Sequence, residues 1–223
     1  MQRKLALFEQ RAAIEKERGR IAKDIHDDLG SSLTRIMMLG ERAEEDLGKR
    51  EAIGVHVGKI VNTARHTVQA LDEIVWAVNP DNDTFEGLVQ YISHHADEFF
   101  ENTGVSSRLE MPETLPALAL PADLRHDLFL VVKEAFNNIL KHSHASEVRV
   151  RVSGDDTTVT IEIEDNGCGF DPGKNGGNRV GNGLTNMRKR MEGLGGELCL
   201  TSAPSQGTKL KVRVTVRPPL GSV

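Results

Sequence analysis

The sequence predicts an α+β fold in two parts. Two long charged stretches carry apolar residues at three- and four-residue steps. An Asn79-Pro80 break follows, and beyond it short helical and alternating strand patterns take turns. The expected architecture is a helical hairpin that pairs with a second copy into a dimeric four-helix bundle. A two-layer α/β sandwich with a mixed sheet comes next. The expected divisions are residues 1–79, residues 80–217 and a tail at 218–223.

In the first stretch Ile14, Ile21, Ile25, Leu29, Leu33, Ile36 and Met37 recur among Arg, Lys, Glu and Asp. That is the signature of an amphipathic helix. From about Leu5 to Leu47 it would span roughly 60 Å at ~1.5 Å per residue. Gly48 and Gly54 bracket an expected turn. The second stripe, Ile53, Val57, Ile60, Ala64, Val68, Leu71, Val75 and Val78, is close to a heptad seam. Pro80 ends it, because proline lacks an amide hydrogen and restricts the residue before it. A lone hairpin cannot bury an apolar seam on both helices, whereas two hairpins can, so a homodimer is expected. The competing arrangement packs both helices on the downstream part. It fits poorly with narrow stripes and heavily charged polar faces.

Beyond Pro80, Phe85 to Asn102 reads as a helix and Val105 to Met111 as a strand. Pro112, Pro116 and Pro121 mark a loop. Leu124 to His142 reads as a strong helix with Leu128, Val131, Val132, Ala135, Phe136, Ile139 and Leu140 inward. Glu147 to Val152 and Thr157 to Glu164 alternate as strands. Asp171 to Gly183, rich in glycine and asparagine, reads as a flexible polar loop. A helix from Leu184 to Leu194 stops at Gly195-Gly196. Glu197 to Thr201 and Thr208 to Val216 are the last strands. The order implies one mixed sheet with helices on one face. The final Arg-Pro-Pro-Leu-Gly-Ser-Val reads as a disordered tail.

Composition narrows the function. A net charge of −5 offers no basic stripe for direct nucleic-acid binding. With one Trp, one Tyr and seven Phe among 223 residues, the expected core is aliphatic. No apolar run reaches the ~18 residues of a membrane span, and no signal-type segment opens the chain. Cys168 and Cys199 lack metal-ligand spacing, so a reducing, cytoplasmic setting is expected. Any membrane attachment would run through a sensor region upstream of this sequence.

Two glycine clusters flank the polar loop, and glycine lets backbone amides approach phosphate oxygens closely. Gly181, Asn182 and Gly183 precede Leu184, where an opening helix would turn amides toward an anion. Glu134, Asn138 and His142 share a helical face, with Lys141 nearby. A carboxylate, an amide oxygen and two potential cations suit a metal-bridged polyphosphate. Neither a P-loop nor a dinucleotide fingerprint occurs.

These residues resemble the ATP-binding domain shared by histidine kinases, gyrase-type ATPases, the chaperone Hsp90 and MutL. Glu134-Ala135, Asn138 and Lys141-His142 match its asparagine box. Asp165-Asn166-Gly167-Cys168-Gly169 matches its first glycine box, Gly181-Asn182-Gly183-Leu184 its second, and Gly207-Thr208 its closing element. The resemblance implies an ATP site in which Asn138 ligates Mg²⁺ and Lys141 and His142 contact phosphates. Glu134 would position the metal or a water, and Asp165 would accept from the adenine amino group. Gly181 and Gly183 would belong to a lid. Cys168 is expected to be a small filler without a chemical role.

The helix Ile21 to Ile36 is not needed by gyrase-type ATPases. His26 lies about 100° round from the seam residue Ile25, on the rim of the expected bundle. A neutral imidazole there is a nucleophile near neutral pH, and the neighbouring Asp27 could orient it and take up a proton. Ile25-His26-Asp27 followed by Leu29-Gly30 is similar to the phosphoacceptor helix of the DesK/NarX-like branch of sensor histidine kinases. The resemblance implies autophosphorylation of His26 by ATP, with Asp27 as general base. It also implies transfer to an aspartate on a response regulator receiver domain. Leu71 to Asn79, with Trp76, looks like the end of the second bundle helix in such kinases, and Asn79 to Thr84 is the expected hinge.

One position departs from that branch. Many members carry glutamine or histidine where this chain has Ser31, and weak phosphatase activity is therefore expected. Two alternatives stand beside the kinase. One is a gyrase- or Hsp90-type ATP-driven machine without phosphohistidine. The other is a dimerising scaffold with a degenerate nucleotide site.

Overall fold

The computed structural model describes residue 19, residues 29–171 and residues 182–216. The chain divides into two compact units, Met1–Pro80 and Asp81–Val223. Within the described residues the first is helical and the second mixed, giving the α+β class.

In the first unit, residues 29–45 form helix α1 and Arg50–Val78 form α2. The turn between them lies at 46–49, earlier than the two glycines indicated, and Gly54 sits inside α2. Asp46 accounts for the shift. It accepts from Lys49 Nζ at 2.9 Å and lies 3.3 Å from His56 Nε2, fastening the turn to the first turns of α2. The Lys49 and His56 bonds hold the Asp46 carboxyl below its ordinary range. A glycine at 54 then costs the helix only about 1 kcal/mol relative to alanine. Asn79 is extended and Pro80 ends the helix as expected.

The apolar positions of α2 belong to more than one face. Ile53 and Ile60 are half-buried, whereas Val57, Val61, Val68, Leu71 and Val75 stand open at 44–64% exposure. The open positions, with Ala64 between them, follow steps of three and four, a heptad line on one side of the helix.

In the second unit a short 3₁₀ turn at Pro80–Asn82 leads into α3, Phe85–Phe100. Thr84 caps α3 by accepting from Gly87 N. Strand β1 is Ser106–Glu110, α4 is Ala122–Asn138, β2 is Glu147–Gly154 and β3 is Thr158–Asp165. Helix α5, Asn182–Gly193, and strands β4, Glu197–Ser202, and β5, Thr208–Thr215, complete the unit. The sheet order is β1-β2-β3-β5-β4, with β1 parallel to β2 and the other pairs antiparallel.

Period-two alternation explains the two layers. Val148, Val150, Val152, Val159, Ile161, Ile163, Leu210, Val212 and Val214 are buried on the inner face. Their neighbours form a charged outer face. Glu162 accepts from Lys209 and Lys211, each at 2.8 Å, and Arg149 and Arg151 both pair with Glu110. Such a face needs no second layer of helices. The core is not wholly aliphatic, however. Tyr91, His95, Phe99 and Phe100 of α3 pack edge-on or tilted against Phe129 and Phe136 of α4, with His95 stacked on Phe136. Among the described residues Tyr91, Phe99, Phe100, Phe129 and Phe136 gather in this one seam.

Helix α4 ends earlier than its apolar period suggested. Ile139–Ser143 form a single π-helical turn, closed by His144 in the left-handed region at φ 53°. The wider turn advances the side chains, so Leu140, expected inside, is 45% exposed while Ile139 stays buried. Helix α5 likewise starts at Asn182, two residues ahead of Leu184.

Candidate functional site

The inner faces of α4, α5 and the sheet leave a cavity of about 370 Å³, within the range of small-molecule sites. Glu134, Asn138, Lys141, His142, Asp165, Gly169, Gly183, Leu184 and Thr208, all singled out in the sequence, line it. Gly167 lies just behind, donating its N–H to Asp165 Oδ1 at 2.8 Å. His26, Asp27 and Gly181 fall outside the described residues.

Each wall has a local cause. Glu134 and Asn138 are one α-helical turn apart on α4. Lys141 and His142 reach the cavity through the π turn rather than by continuing that face. Ser143 closes the turn: its hydroxyl donates to Ile139 O at 2.8 Å and accepts from Ala145 N at 3.0 Å. The loop after β3 then docks on it. Cys168 N donates to Ser143 O at 2.7 Å, and Cys168 Sγ lies 3.3 Å from His142 O. Cys168 is thus a hydrogen-bonded part of the loop. A side chain at 167 would run into Ser143 O, so glycine is required there by close approach rather than by φ. Asn166 anchors the same loop to β2, its Oδ1 accepting from Ser146 N and Glu147 N.

Asp165 is the last inward residue of β3 and is 5% exposed. Burial pushes its carboxyl up from the ordinary value. Hydrogen bonds from Gly167 N and from the backbone and hydroxyl of Thr208 pull in the opposite direction. On the far wall, Gly183 touches the Glu134 carboxylate so closely that any side chain at 183 would overlap it.

The apolar lining extends the site beyond the residues that the sequence motifs mark. Ile163, Phe170, Met187, Leu200 and Leu210 line the cavity together with Asp165 and give it apolar walls beside its polar groups. Ile163 was findable, two residues before Asp165 on the same strand face. Met187 was findable too, one helical turn after Leu184. Leu200 depends on the β4–β5 pairing, which no local pattern specifies.

A cavity with apolar walls, one buried carboxylate and an Asn-Lys-His group fits a nucleotide site in a domain of the two-layer sandwich class. The comparisons with known proteins agree. Residues 123–221 match the family described as histidine kinase-, DNA gyrase B- and HSP90-like ATPase, and residues 17–83 match the histidine kinase family HisKA_3. The chain carries both segments of a histidine kinase core, the HisKA_3 segment and the ATPase segment. The gyrase- or Hsp90-type alternative is not favoured, because the upstream match is to histidine kinases alone.

The sensor histidine kinase MctS of Rhizobium johnstonii is 30% identical over 207 residues, covering 88% of this chain and 42% of that protein. The nitrate/nitrite sensor NarQ of Escherichia coli is 27% identical, covering 91% of this chain and 35% of that protein. The kinase/phosphatase DegS of Brevibacillus brevis is 26% identical, covering 92% and 52%. The chain therefore spans about half or less of these relatives. Among solved structures, the histidine kinase domain of the Erythrobacter litoralis EL346 blue-light kinase aligns at TM-score 0.55 and 17% identity. It covers 87% of this chain and 94% of that one. Full-length ShkA with AMPPNP aligns at 0.57 and 16%, covering 91% and 47%. These likenesses establish the fold. Among the described residues no helix is long and apolar enough to cross a membrane.

Proposed function

We propose that the chain is the catalytic core of a two-component kinase that transfers the γ-phosphoryl group of ATP to His26 and then to a response regulator aspartate. The observation that carries this reading is the cavity that brings Glu134, Asn138, Lys141, His142, Asp165 and Thr208 together. Residues 1–79 serve as the dimerisation and phosphoacceptor part, and residues 80–217 as the ATP-binding part.

The apolar walls take the base, with Asp165 accepting from its exocyclic amino group. The Asn-Lys-His group takes the phosphates, where Lys141 and His142 neutralise charge. Among the described residues no cluster of three or more His, Cys, Asp or Glu side chains could cage a metal ion. That fits Mg²⁺, which keeps waters and phosphate oxygens and needs few protein ligands. Asn138 would supply one oxygen, with Glu134 orienting a ligand water. Bound Mg²⁺ would offset charge on the phosphate oxygens.

At His26 a ring nitrogen attacks the γ-phosphorus. The new N–P bond replaces the bond to the bridging oxygen, which leaves with ADP. Asp27 takes the ring proton as positive charge develops. The protein's share of the work is placement and charge neutralisation, as in phosphoryl transfer generally. The partner of the helical part is a second copy of the chain, which would cover the open line Val57 to Val75.

Incubation with γ-labelled ATP and Mg²⁺ tests this reading. An acid-labile, base-stable phosphoprotein that disappears in His26→Gln is the expected result. Free phosphate without labelled protein would instead indicate an ATP-driven machine, and neither product a scaffold.

A further inference from the structure

A row of polar side chains crosses the inner face at one end of the sheet. Asp165 pairs with Thr208, and Thr208 pairs with Ser202. All three point to the helix side, and Ser202 is the terminal residue of β4. The Ser202 hydroxyl has three neighbours: it accepts from Phe170 N at 2.9 Å, lies 2.9 Å from Gly207 O as donor, and is 3.1 Å from Thr208 Oγ1. Phe170 and Thr208 both line the cavity.

A hydroxyl has one proton to give. The Thr208 hydroxyl bonds to Asp165. When its proton is committed there, the Ser202–Thr208 contact can be made only with Ser202 as donor, its single proton shared in a three-centre bond between Thr208 Oγ1 and Gly207 O. The chain then runs from Phe170 N–H to Ser202, branches from Ser202 to Gly207 O and to Thr208, and passes from Thr208 to the Asp165 carboxylate. Bonds in such a chain polarise one another. Removing Ser202 would leave the Thr208 hydroxyl free to rotate away from Asp165, and would leave Phe170 N–H without this partner.

The surroundings make the row hard to replace by adjustment. The loop Gly167–Phe170 packs on the β4–β5 turn, where Ser205 N donates to Cys168 O at 2.6 Å. Gly169, at φ 57°, sits against Ala203 O, and Gly207, at φ 70°, against Asp165 O, each too close for a side chain. Ser202 lies at the centre of this junction.

We infer that Ser202 is a positioning residue for base recognition: through Thr208 it holds Asp165 as a directed acceptor for the amino group of adenine. The inference rests on the assignment of Asp165 as the base-reading group and goes beyond it by naming what enforces the selectivity. Ser202 itself does not touch the base.

The test is equilibrium binding of ADP and IDP to the full chain, since IDP carries an oxo group where ADP carries the amino group. Diphosphates avoid turnover. Wild type prefers ADP. Ser202→Ala lowers the ADP-to-IDP affinity ratio by about tenfold, the worth of roughly one well-formed hydrogen bond. Ser202→Cys, somewhat larger but a poor hydrogen-bonding group, does the same, whereas Ser202→Thr retains the ratio. If Ser202→Ala fails to fold, Ser202→Cys carries the measurement. An unchanged ratio in the alanine and cysteine variants, including equal losses for both nucleotides, overturns the role of Ser202 while leaving Asp165 in place. Wild type binding ADP and IDP equally would remove the Asp165 assignment and this inference with it.

Discussion

Arg125 is wholly buried, and its Nη2 donates to Asp83 Oδ1 at 2.9 Å. The pair joins the start of α4, the helix that carries Glu134 and Asn138, to the segment that follows Pro80–Asn82. Two backbone bonds reinforce it: Leu120 N donates to Asp83 O at 3.0 Å and Phe85 N to Leu118 O at 2.9 Å. Asp83 and Thr84 are thereby fastened within the second unit, which removes them from the hinge expected at Asn79 to Thr84.

The pair predicts an asymmetric response to mutation. Asp83→Ala leaves a buried guanidinium without this counter-charge and should cost about 3 kcal/mol, as broken buried pairs do. Arg125→Met removes the charge and keeps much of the volume, so it should cost clearly less. Urea unfolding of the two variants measures this. Equal losses would mean that Arg125 acts by packing rather than by charge.

Gly183 offers a separation of binding from stability. An alanine there would push into the Glu134 carboxylate, yet alanine is favoured over glycine inside a helix by about 1 kcal/mol. Gly183→Ala should therefore melt no lower than wild type while binding nucleotide at least about tenfold more weakly. Thermal unfolding without ligand, beside ADP titration, checks both halves. A variant that binds normally would show that Glu134 yields to the added methyl group.

The polar half of the site was legible because its residues come in short local motifs: Glu134 to His142, Asp165 to Gly169, Gly207-Thr208. Element order and strand alternation were legible for the same reason, since period is a local property. The rest is set by distant partners. The apolar spacing of α4 continues through Leu140 and predicts it inward, whereas the π turn that exposes it is held by Ser143 and the loop from Cys168. Ser202 lies one residue beyond the strand Glu197 to Thr201 that the sequence predicts. Its meaning comes from the β5 register that sets it beside Thr208.

Acid stability should turn on Glu162. The hydrogen bonds from Lys209 and Lys211 lower its carboxyl from 4.5 to about 2. A depressed folded-state value means stabilisation that is complete above the ordinary 4.5 and is lost as pH falls from there toward 2. At this partly solvated position the gain is on the order of 1 kcal/mol. Glu162→Gln should therefore be less stable than wild type at neutral pH, with the difference closing below pH ~4 as linkage requires. Denaturant midpoints between neutral pH and pH ~3 provide the measurement. A constant gap across that range would show that the loss comes from packing.

Ser31 sits where a longer amide or imidazole is common in the DesK/NarX-like branch. If its short hydroxyl is what limits dephosphorylation of the partner, Ser31→Gln should raise phosphatase activity on a phosphorylated receiver domain several-fold and leave autophosphorylation of His26 unchanged. Wild type already acting as fast as the variant would show that water placement does not depend on this position.

The open line on α2 makes the last prediction. Val57, Val61, Val68, Leu71 and Val75 are exposed in the single chain, although their spacing is that of a packed seam. Water contact along a valine-leucine stripe of this length is unfavourable by ~25 cal/mol for each Å² left uncovered. A symmetric partner covers it with the same surface, since a two-fold axis brings like residues together. A charge at the centre of such a seam would face its own copy in a desolvated setting, a far larger penalty than one lost methyl contact. Val68→Asp should therefore turn the dimer into a monomer, while Val55→Asp, an exposed valine off the heptad line, should not. Sedimentation equilibrium distinguishes the two. ADP binding should survive in both variants, because the cavity lies wholly within Asp81–Val223. A dimeric Val68→Asp would mean that a different surface joins the copies.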